Sequence, residues 1–271
     1  MNKYDFAPIL NELSSAESPL LKQGLKRPQN MPTGQQTLEI LNAIIFLLFP
    51  ETVPAVATSP SERAESLLAM LADFLSSVVG DRSYGVAYDV VSALPRVKRA
   101  LIKDAIAIYE GDPAAASPYE VMLCYPGFYA ITVQRIAHLL YVYNIPYLPR
   151  IMTERAHSIT GIDIHPGARI GESFCIDHGT GVVIGETAEI GNNVKIYQSV
   201  TIGAKSFERD DDGRLIKGKK RHPTIGNNCV IYAGATILGG DTRIGDGCVI
   251  GGNVWLTHSL SPHSRVYYNE K

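Results

Sequence analysis

The sequence has few cysteines, a single tryptophan and no excess of either charge. Of its 271 residues, four are cysteine and one is tryptophan, and the formal net charge at pH 7 is −2. The cysteines form no CxxC pair and no secreted disulfide framework, so we expect a reduced, cytoplasmic protein. The near-neutral charge offers no electrostatic footprint for nucleic acid, and no nucleic-acid partner is expected.

Long apolar runs are also missing. The first residues do not show the basic segment followed by an apolar one that a signal peptide would have. The most apolar run, Ala43 to Phe49, is far too short to span a bilayer and is closed by Pro50. We interpret it as a buried helix segment and expect no membrane association.

Glycine is scarce in the first half of the chain and proline in the second. Six of the 24 glycines precede residue 161, whereas 13 of the 16 prolines do. The first half is predicted to be helical, as residues 59–80 illustrate. Ser59 is a candidate N-cap, Glu62 completes a capping box and Gly80 ends the helix. Further amphipathic candidates are residues 95–111 and 127–144. Residues before about 36 carry no clear pattern.

The second half repeats with a period of six residues. Aliphatic residues recur at Ile164, Ile170, Ile176, Ile184, Ile190, Ile196 and Ile202, then at Ile225, Ile231, Ile237, Ile244, Ile250 and Leu256. Hexapeptide periodicity is typical of a parallel β-helix, in which three short strands make one coil around an aliphatic interior. An ordinary β-sandwich would show alternation with period two. Because the repeat accounts for its own isoleucines, function is expected where the repeat is broken.

The first break is the stretch Phe174 to Gly181, which contains an acid, a histidine and two glycines. Residue 181 is one coil after Asp163, so the two should stack about 4.8 Å apart. His178 lies three residues earlier, and we expect it near the same edge of the prism as Asp163. A carboxylate that orients an imidazole is the arrangement of a general base. The alternative is that Asp163 caps a corner and His178 is a surface residue.

The second break, Lys205 to Lys220, is dense in charges of both signs and must leave the coil as a loop. It ends in Arg221 and His222, immediately before the repeat returns. A loop that emerges near a groove can deliver these side chains to a carboxylate-bearing ligand. The alternative is a solvated loop stem. A third segment, with Asp112 before Pro113, has only the residues of an ordinary turn.

Together these segments closely resemble serine O-acetyltransferase, a hexapeptide-repeat enzyme family. The resemblance covers about residues 90–262. Its motifs are "DPAA" at 112–115, "GFYAITVQRIAH" at 127–138, "DIHPGARIG" at 163–171, "DHGTGVVIGETA" at 177–188, "QSVTIGA" at 198–204 and "RHPTIG" at 221–226. Their order is specific to this family among left-handed β-helix acyltransferases.

The resemblance implies an α-helical N-terminal domain at residues 1–155 and a left-handed β-helix at 156–262. A protruding loop at 204–223 and a short C-terminal tail at 263–271 complete the expected organisation. A homotrimer, or a dimer of trimers, is also implied.

The implied activity is transfer of acetyl from acetyl-CoA to the L-serine hydroxyl, the first step of cysteine biosynthesis, without a metal. By motif position His178 resembles the general base and Asp163 its orienting partner. Asp112 and Asp177 resemble the acids that bind the serine ammonium group. The residues that resemble the carboxylate contacts are Arg221 and His222. L-cysteine is implied as a feedback inhibitor at the serine site.

The family's CoA groove points to small residues that let a pantetheine arm approach the backbone. These residues are Gly203, Ala204, Gly234 and Ala235. Many members carry an "AGxPAR" segment where this chain reads "SPHSRVYYNEK", so part of the CoA contact is expected to be built differently. Many members also end in isoleucine, which docks in O-acetylserine sulfhydrylase. Lys271 at this end counts against that complex, and the loop at 204–220 is longer than in the commonest form.

The chemistry agrees with direct transfer. The serine hydroxyl is a poor nucleophile near neutral pH, and a histidine base can take its proton during attack on the thioester. Cys175, three residues before His178, suggests a rival route through an acyl-cysteine. Buried small cysteines are, however, common in such coils.

Three other interpretations differ in class. Another hexapeptide acyltransferase, acting on a sugar or an antibiotic, leaves the helical domain with "DPAA" unexplained. A gamma-class carbonic anhydrase needs three zinc-binding histidines, for which His165, His178 and His222 are candidates. A non-catalytic scaffold gives Asp163, His178 and Arg221 no common purpose.

The strand count predicts where the candidate residues lie around the prism. Asp163 and His178 fall at the corner between a third strand and the first strand of the next coil. If Ile184 restarts the count, Arg221 and His222 enter before a second-position strand, at a different corner. Two corners of one prism cannot face one small ligand, whereas corners of neighbouring prisms can. We therefore expect an active site shared between subunits.

Overall fold

The computed structural model describes residues 7–16, 31–52 and 58–268. The chain divides into two compact units, residues 1–31 and residues 32–271. The described part of the first unit contains one helix, α1 (Ala7–Ala16). The candidate residues all lie in the second unit.

The first part of the second unit is helical. Its helices are α2 (Gly34–Leu48), α3 (Pro60–Val79), α4 (Ser83–Gly111), α5 (Pro118–Cys124), α6 (Pro126–Val142) and α7 (Leu148–Thr160). The predicted start of α3 is confirmed, because the Ser59 hydroxyl accepts the Glu62 N–H at 3.2 Å and the Glu62 carboxylate accepts the Ser59 N–H at 2.6 Å. Gly80 follows α3 as its C-cap, as predicted. Among the helices of the described residues, none is long and apolar enough to cross a membrane.

Helix α4 is longer than the sequence predicted. It begins at Ser83, so Pro95, the expected start, lies inside it. The extra turns bury Ala87, Val90 and Leu94 on one side, and this apolar stripe keeps the segment helical although proline offers no backbone donor. The apolar run 43–49 lies in the last turns of α2 and in Phe49, with Ile44 and Leu48 buried.

The second part is a parallel β-helix, with fourteen short strands among the residues that the structure describes. The strands are β1 (Asp163–Ile164), β2 (Arg169–Ile170), β3 (Cys175–Ile176), β4 (Val183–Ile184), β5 (Glu189–Ile190), β6 (Lys195–Ile196), β7 (Thr201–Gly203), β8 (Thr224–Ile225), β9 (Val230–Ile231), β10 (Thr236–Leu238), β11 (Arg243–Ile244), β12 (Val249–Ile250), β13 (Trp255–Leu256) and β14 (Arg265–Val266). They form three sheets, with the orders β1-β4-β7-β10-β13, β2-β5-β8-β11 and β3-β6-β9-β12-β14. The predicted repeat is confirmed, because isoleucines of successive coils pair in register, as Ile164 does with Ile184.

The solenoid extends past the predicted boundary at residue 262, because β14 pairs with β12. The last three residues of the expected tail, 269–271, lie outside the described part of the chain. The helices and the coils share one hydrophobic core, so the predicted domain boundary near residue 155 stays a prediction.

A buried ion pair holds the helices to the first coil. The Arg135 guanidinium in α6 contacts both Asp104 carboxylate oxygens, at 2.5 and 2.8 Å, and also donates to the Ile170 and Gly171 carbonyls. Asp104, from α4, additionally accepts the Phe174 N–H at 2.9 Å. Two helices are thereby fixed against β2 and β3, where the first break in the repeat begins.

Candidate active site

The corner between β3 and β4 contains two residues more than a regular corner. Asp163 pairs with Val183 and not with residue 181, so the predicted stacking was wrong by two positions. Gly181 instead stacks on Gly161, to whose carbonyl its N–H donates at 2.8 Å. The slip in the six-residue spacing is therefore absorbed within this one corner.

The inserted corner projects His178 away from the coil. His178 has φ +59° and Gly179 has φ +90°, a left-handed region that non-glycine residues adopt rarely. A Cβ atom at Gly179 would lie 2.5 Å from the Ile162 side chain and 2.8 Å from that of Ile176, so only glycine fits. The His178 side chain is 74% exposed as a result. An imidazole presented in this way can meet a ligand.

Asp177 and Asp112 reach this corner from different parts of the chain. Asp177 immediately follows β3, and its Oδ1 lies 3.8 Å from the His178 Nε2. Asp112 is the C-cap of α4. Helices α4 and α6 pack on β3, and at Gly127 there is no room for a Cβ atom beside the Ile176 carbonyl. This close packing brings the end of α4 to the acid and the histidine.

The Asp112 carboxylate is fixed and ionised. It accepts a hydrogen bond from the Tyr125 hydroxyl at 2.7 Å and another from the Ala114 N–H at 2.8 Å. The hydrogen bond from Tyr125 lowers the pKa of Asp112 most, and the one from Ala114 lowers it further. The charges of Lys195 and His178 act in the same direction. The hydrogen bond to Asp112 also raises the pKa of Tyr125 to about 12, so the phenol remains a donor.

Asp163 is not joined to His178 within one chain. It lies half-buried on β1, and no ion pair between the two is found among the described residues. The predicted orienting role of Asp163 stays a prediction.

Arg221 and His222 are held by a three-residue segment of the second coil, Gly185 to Thr187. The Arg221 guanidinium contacts the Glu186 carboxylate at 2.5 Å. The Thr187 hydroxyl accepts the N–H groups of Arg221 and His222 at 2.9 and 3.1 Å. These three residues lie within the motif at 177–188, but no role of their own was predicted for them, because glycine after isoleucine is ordinary in the repeat.

The His222 ring is buried and neutral. Its Nδ1 accepts the Thr187 N–H at 3.1 Å and lies 2.8 Å from the Thr187 hydroxyl, which must donate because it already accepts two N–H groups. Burial lowers the pKa of His222 to about 4, and the charge of Arg221 acts in the same direction. The ring lies where a Cβ atom at Gly185 would be, so glycine is required there.

The two groups of candidate residues occupy different corners, as the strand count predicted. Ile202 belongs to the first sheet and Ile225 to the second, so Arg221 and His222 precede a second-position strand. His178 lies between the third and first sheets. The preceding loop folds as a hairpin, with a bridge between Arg209 and Leu215.

Two family models match the chain. A GLGC left-handed parallel beta-helix domain matches residues 156–269, and a serine acetyltransferase N-terminal domain matches residues 57–133. The first match confirms the left-handed sense predicted for the solenoid.

Known proteins show the same likeness. "Serine acetyltransferase, plasmid" of Synechococcus elongatus is 62% identical over 174 residues, which are 64% of this chain and 54% of that protein. Serine acetyltransferase of Bacillus subtilis is 45% identical over 168 residues, 62% of this chain and 73% of that protein. The crystal structure of Entamoeba histolytica serine acetyltransferase 1 in complex with L-cysteine has a TM-score of 0.76 and 34% identity, and covers 97% of this chain and 100% of that one.

This chain belongs to the serine acetyltransferase family. It spans little more than half the length of the Synechococcus relative. Membership counts against a carbonic anhydrase, a scaffold, and an acyltransferase for sugars or antibiotics.

The acyl-cysteine route is disfavoured by the environment of Cys175. The thiol is 4% exposed, and burial raises its pKa to about 12, so the nucleophilic thiolate is not formed near neutral pH. A buried thiol with a raised pKa is a poor nucleophile, so the environment of Cys175 favours direct attack by an acceptor over an acyl-cysteine.

Of the expected CoA residues, Gly203 ends β7, Ala204 follows it, and Gly234 and Ala235 lie at the corner before β10. Gly234 has φ +72°, and a Cβ atom at Gly203 would lie 2.9 Å from the Leu238 side chain, so backbone conformation explains the first glycine and packing the second. Ala204 is half-buried, whereas the Ala235 side chain is buried in the coil and can offer only its backbone. Their contact with CoA stays a prediction.

One charged residue that lies close to the acids was not predicted from the sequence. Lys195 in β6 lies 2.9 Å from the Asp177 carboxylate and donates to the Gly111 carbonyl at 2.6 Å. Its position directly before an inward isoleucine is an ordinary solvent-facing position of the repeat. The sequence carried no signal that would distinguish it.

Proposed function

We propose that the chain is a serine O-acetyltransferase, which transfers acetyl from acetyl-CoA to L-serine and gives O-acetyl-L-serine and CoA. The observation that carries the proposal is the convergence of Asp112, Asp177 and His178 at one corner. Two carboxylates beside an exposed imidazole suit a small ligand with an ammonium group and a hydroxyl group. Family membership supports the same assignment.

Asp112 and Asp177 bind the ammonium group of serine, and His178 accepts the proton of its hydroxyl. The serine oxygen then attacks the thioester carbonyl carbon. When the tetrahedral intermediate collapses, the carbon–sulfur bond breaks, and the imidazolium returns its proton to the CoA thiolate. Asp163 orients the imidazole, which requires the His178 ring to turn towards it.

Arg221 and His222 contact the serine carboxylate. The Arg221 guanidinium is the charge-bearing partner, and His222 is neutral at pH 7 and can donate a hydrogen bond. Because they lie at another corner of the prism, they serve the site of a neighbouring subunit in a homotrimer or a dimer of trimers.

The pantetheine arm of acetyl-CoA runs along the coils past Gly203, Ala204, Gly234 and Ala235. L-cysteine carries the same ammonium and carboxylate groups as L-serine, so it competes for this site. Entamoeba histolytica serine acetyltransferase 1 was crystallised with L-cysteine. The proposal places the enzyme in the cytoplasm, without a metal.

Thiol release from acetyl-CoA tests the proposal. L-serine should give rapid release, and mass spectrometry should find O-acetyl-L-serine, whereas L-threonine, 2-aminoethanol, a hexose and an aminoglycoside should give little. 2-Aminoethanol is the informative acceptor, because it keeps the ammonium and hydroxyl groups of serine but lacks the carboxylate. Preference for any of these acceptors over L-serine would contradict the proposal, and so would the absence of release.

A further inference from the structure

Lys195 is a half-buried cation that contacts Asp177 and the residue before Asp112. Its side chain is 19% exposed, and its Nζ lies 2.9 Å from the Asp177 Oδ2. The same Nζ donates to the Gly111 carbonyl at 2.6 Å and lies 4.6 Å from the centre of the Tyr197 ring. One atom therefore joins the end of α4 to the corner that carries the histidine.

The Gly111 contact fixes the neighbouring residue, Asp112. Because Gly111 directly precedes Asp112, a bond to its carbonyl limits how far the Asp112 carboxylate can move from Asp177. Burial of Lys195 opposes its charge, but the contacts with Tyr197 and Asp177 raise its pKa above the ordinary value. The cation thus persists across the pH range in which carboxylates titrate.

Two carboxylates that converge on one small ligand repel each other when that ligand is absent. Like charges at a shared site favour uptake of a proton by one of them. A protonated carboxyl group cannot pair with an ammonium ion. Lys195 contacts Asp177 and is bonded to the residue before Asp112, so its positive charge offsets this repulsion.

We propose that Lys195 is a positioning residue of the ammonium site, which holds Asp112 and Asp177 together in their ionised, binding-competent form. This inference rests on the proposed function, because it assumes a ligand with an ammonium group. It adds Lys195 to the proposed site, a residue whose identity the six-residue repeat does not explain.

Other titratable groups face this site from each element packed against it. They are Cys175 and His178 on the same coil, Tyr197 on the next coil, Lys103 and Glu110 on α4, and Tyr125 directly before α6. Of these, His178 lies at the same corner as Asp177, and its own ionisation could change serine affinity with pH. It is therefore removed from every variant compared.

The test measures L-serine binding by calorimetry between about pH 3 and about pH 7 in chains that carry His178→Ala, because the pKa of Asp112 lies below the ordinary carboxyl value. Serine stays mainly zwitterionic over this range, so loss of affinity at low pH reports the protein. Adding Lys195→Met should move the midpoint of that loss upward by about one pH unit, the size expected when a neighbouring opposite charge is removed. Adding Lys195→Arg should leave the midpoint within about 0.3 unit of the parent, because the charge is kept.

Lys103→Met is the matched control. Lys103 lines the same groove of about 430 Å³ and also joins α4 to the first coil, through Glu172 at 2.5 Å, but it does not touch either acid. It should leave the midpoint unchanged. An unchanged midpoint in Lys195→Met, or equal loss of affinity at every pH, would overturn the inference. Failure of the His178→Ala parent and of the unmodified chain to bind L-serine at any pH would refute the proposed function itself.

Discussion

The imidazole of His178 is the residue on which the proposed chemistry depends most directly. His178→Ala should lower turnover by about 10²–10⁴-fold, the usual effect of losing a general base. Binding of L-serine should change much less, because Asp112 and Asp177 remain. Steady-state rates of thiol release, together with calorimetric serine binding, give the two numbers.

Asp163→Asn is the companion variant. It should cost less than His178→Ala, because the imidazole stays in place but is less well oriented. Turnover of His178→Ala within a few-fold of the unmodified enzyme would contradict the assignment of the base. A change in serine affinity alone in Asp163→Asn would count against its orienting role.

The buried ring of His222 predicts a pH-dependent stability. Its folded pKa of about 4 lies below the ordinary value of about 6.5 that it has when unfolded. Between these values the unfolded chain binds the extra proton, so stability falls as pH falls through this window and changes no further below it. From pH 7 to pH 5 this one group should cost about 2 kcal/mol.

The measurement compares the enzyme with His222→Asn in urea unfolding at pH 7 and pH 5. Both proteins should lose stability, since carboxylates also titrate, but the variant should lose about 2 kcal/mol less. Protein concentration is the same in both experiments, so that any self-association contributes equally to the two stabilities. Equal losses in the two proteins would show that His222 is accessible to protons in the folded state.

At the scale of elements, the Asp104–Arg135 pair fixes α4 and α6 against the first coil. The Arg135 side chain is 10% exposed and the Asp104 side chain is fully buried. Removing one partner of such a pair leaves a buried charge without compensation, which typically costs about 3–5 kcal/mol. Asp104→Asn should therefore lower the free energy of unfolding by about that amount.

Glu172→Gln is the control for this prediction. It breaks the ion pair with Lys103, whose members are 50% and 53% exposed, and exposed pairs contribute about 1 kcal/mol or less. Urea midpoints of the two variants should differ clearly. Similar midpoints would mean that the buried pair does not hold the helices.

The elements differ in how well their sequences predict them. The cap of α3 and the inward isoleucines were predicted residue by residue, because each rests on a local rule of capping or spacing. The start of α4 was not, since Pro95 is a local helix breaker that the buried stripe around Leu94 overrides. The predicted pairing partner of Asp163 was wrong by two positions. An insertion at a corner changes only the spacing of the isoleucines, which does not show where in the corner the extra residues lie.

The candidate site was predictable to a similar degree. The motifs identified Asp112, Asp177 and His178, and the structure brings these three together. The supporting contacts of Tyr125 and Lys195 join segments far apart in sequence, which no spacing rule reports.

For the whole molecule, the separation of His178 from Arg221 predicts that activity needs neighbouring subunits. Co-expression of His178→Ala chains with Arg221→Ala chains should restore activity that neither has alone. With equal amounts mixed at random, about one quarter of the shared sites would carry both intact residues. Activity of the purified mixture, relative to the unmodified enzyme, measures this fraction.

Mixing unmodified chains with chains that carry both substitutions is the matched control. A shared site again gives about one quarter of the activity, whereas a site within one chain gives about half. No recovery in the first mixture, with half activity in the second, would exclude a shared site of this form.

The pairing of the strands has a mechanical consequence. Strands that follow one another along the described chain belong to different sheets, and each strand inside a sheet is hydrogen-bonded to a strand of the coil before it and of the coil after it. A force that pulls along the axis of the β-helix therefore acts mainly on the hydrogen bonds between successive coils. The covalent connections between strands carry little of that force. Cleavage of the backbone within residues 205–220 would leave β7 and β8 hydrogen-bonded to their neighbouring strands. The β-helix would therefore keep its stiffness although the chain was broken.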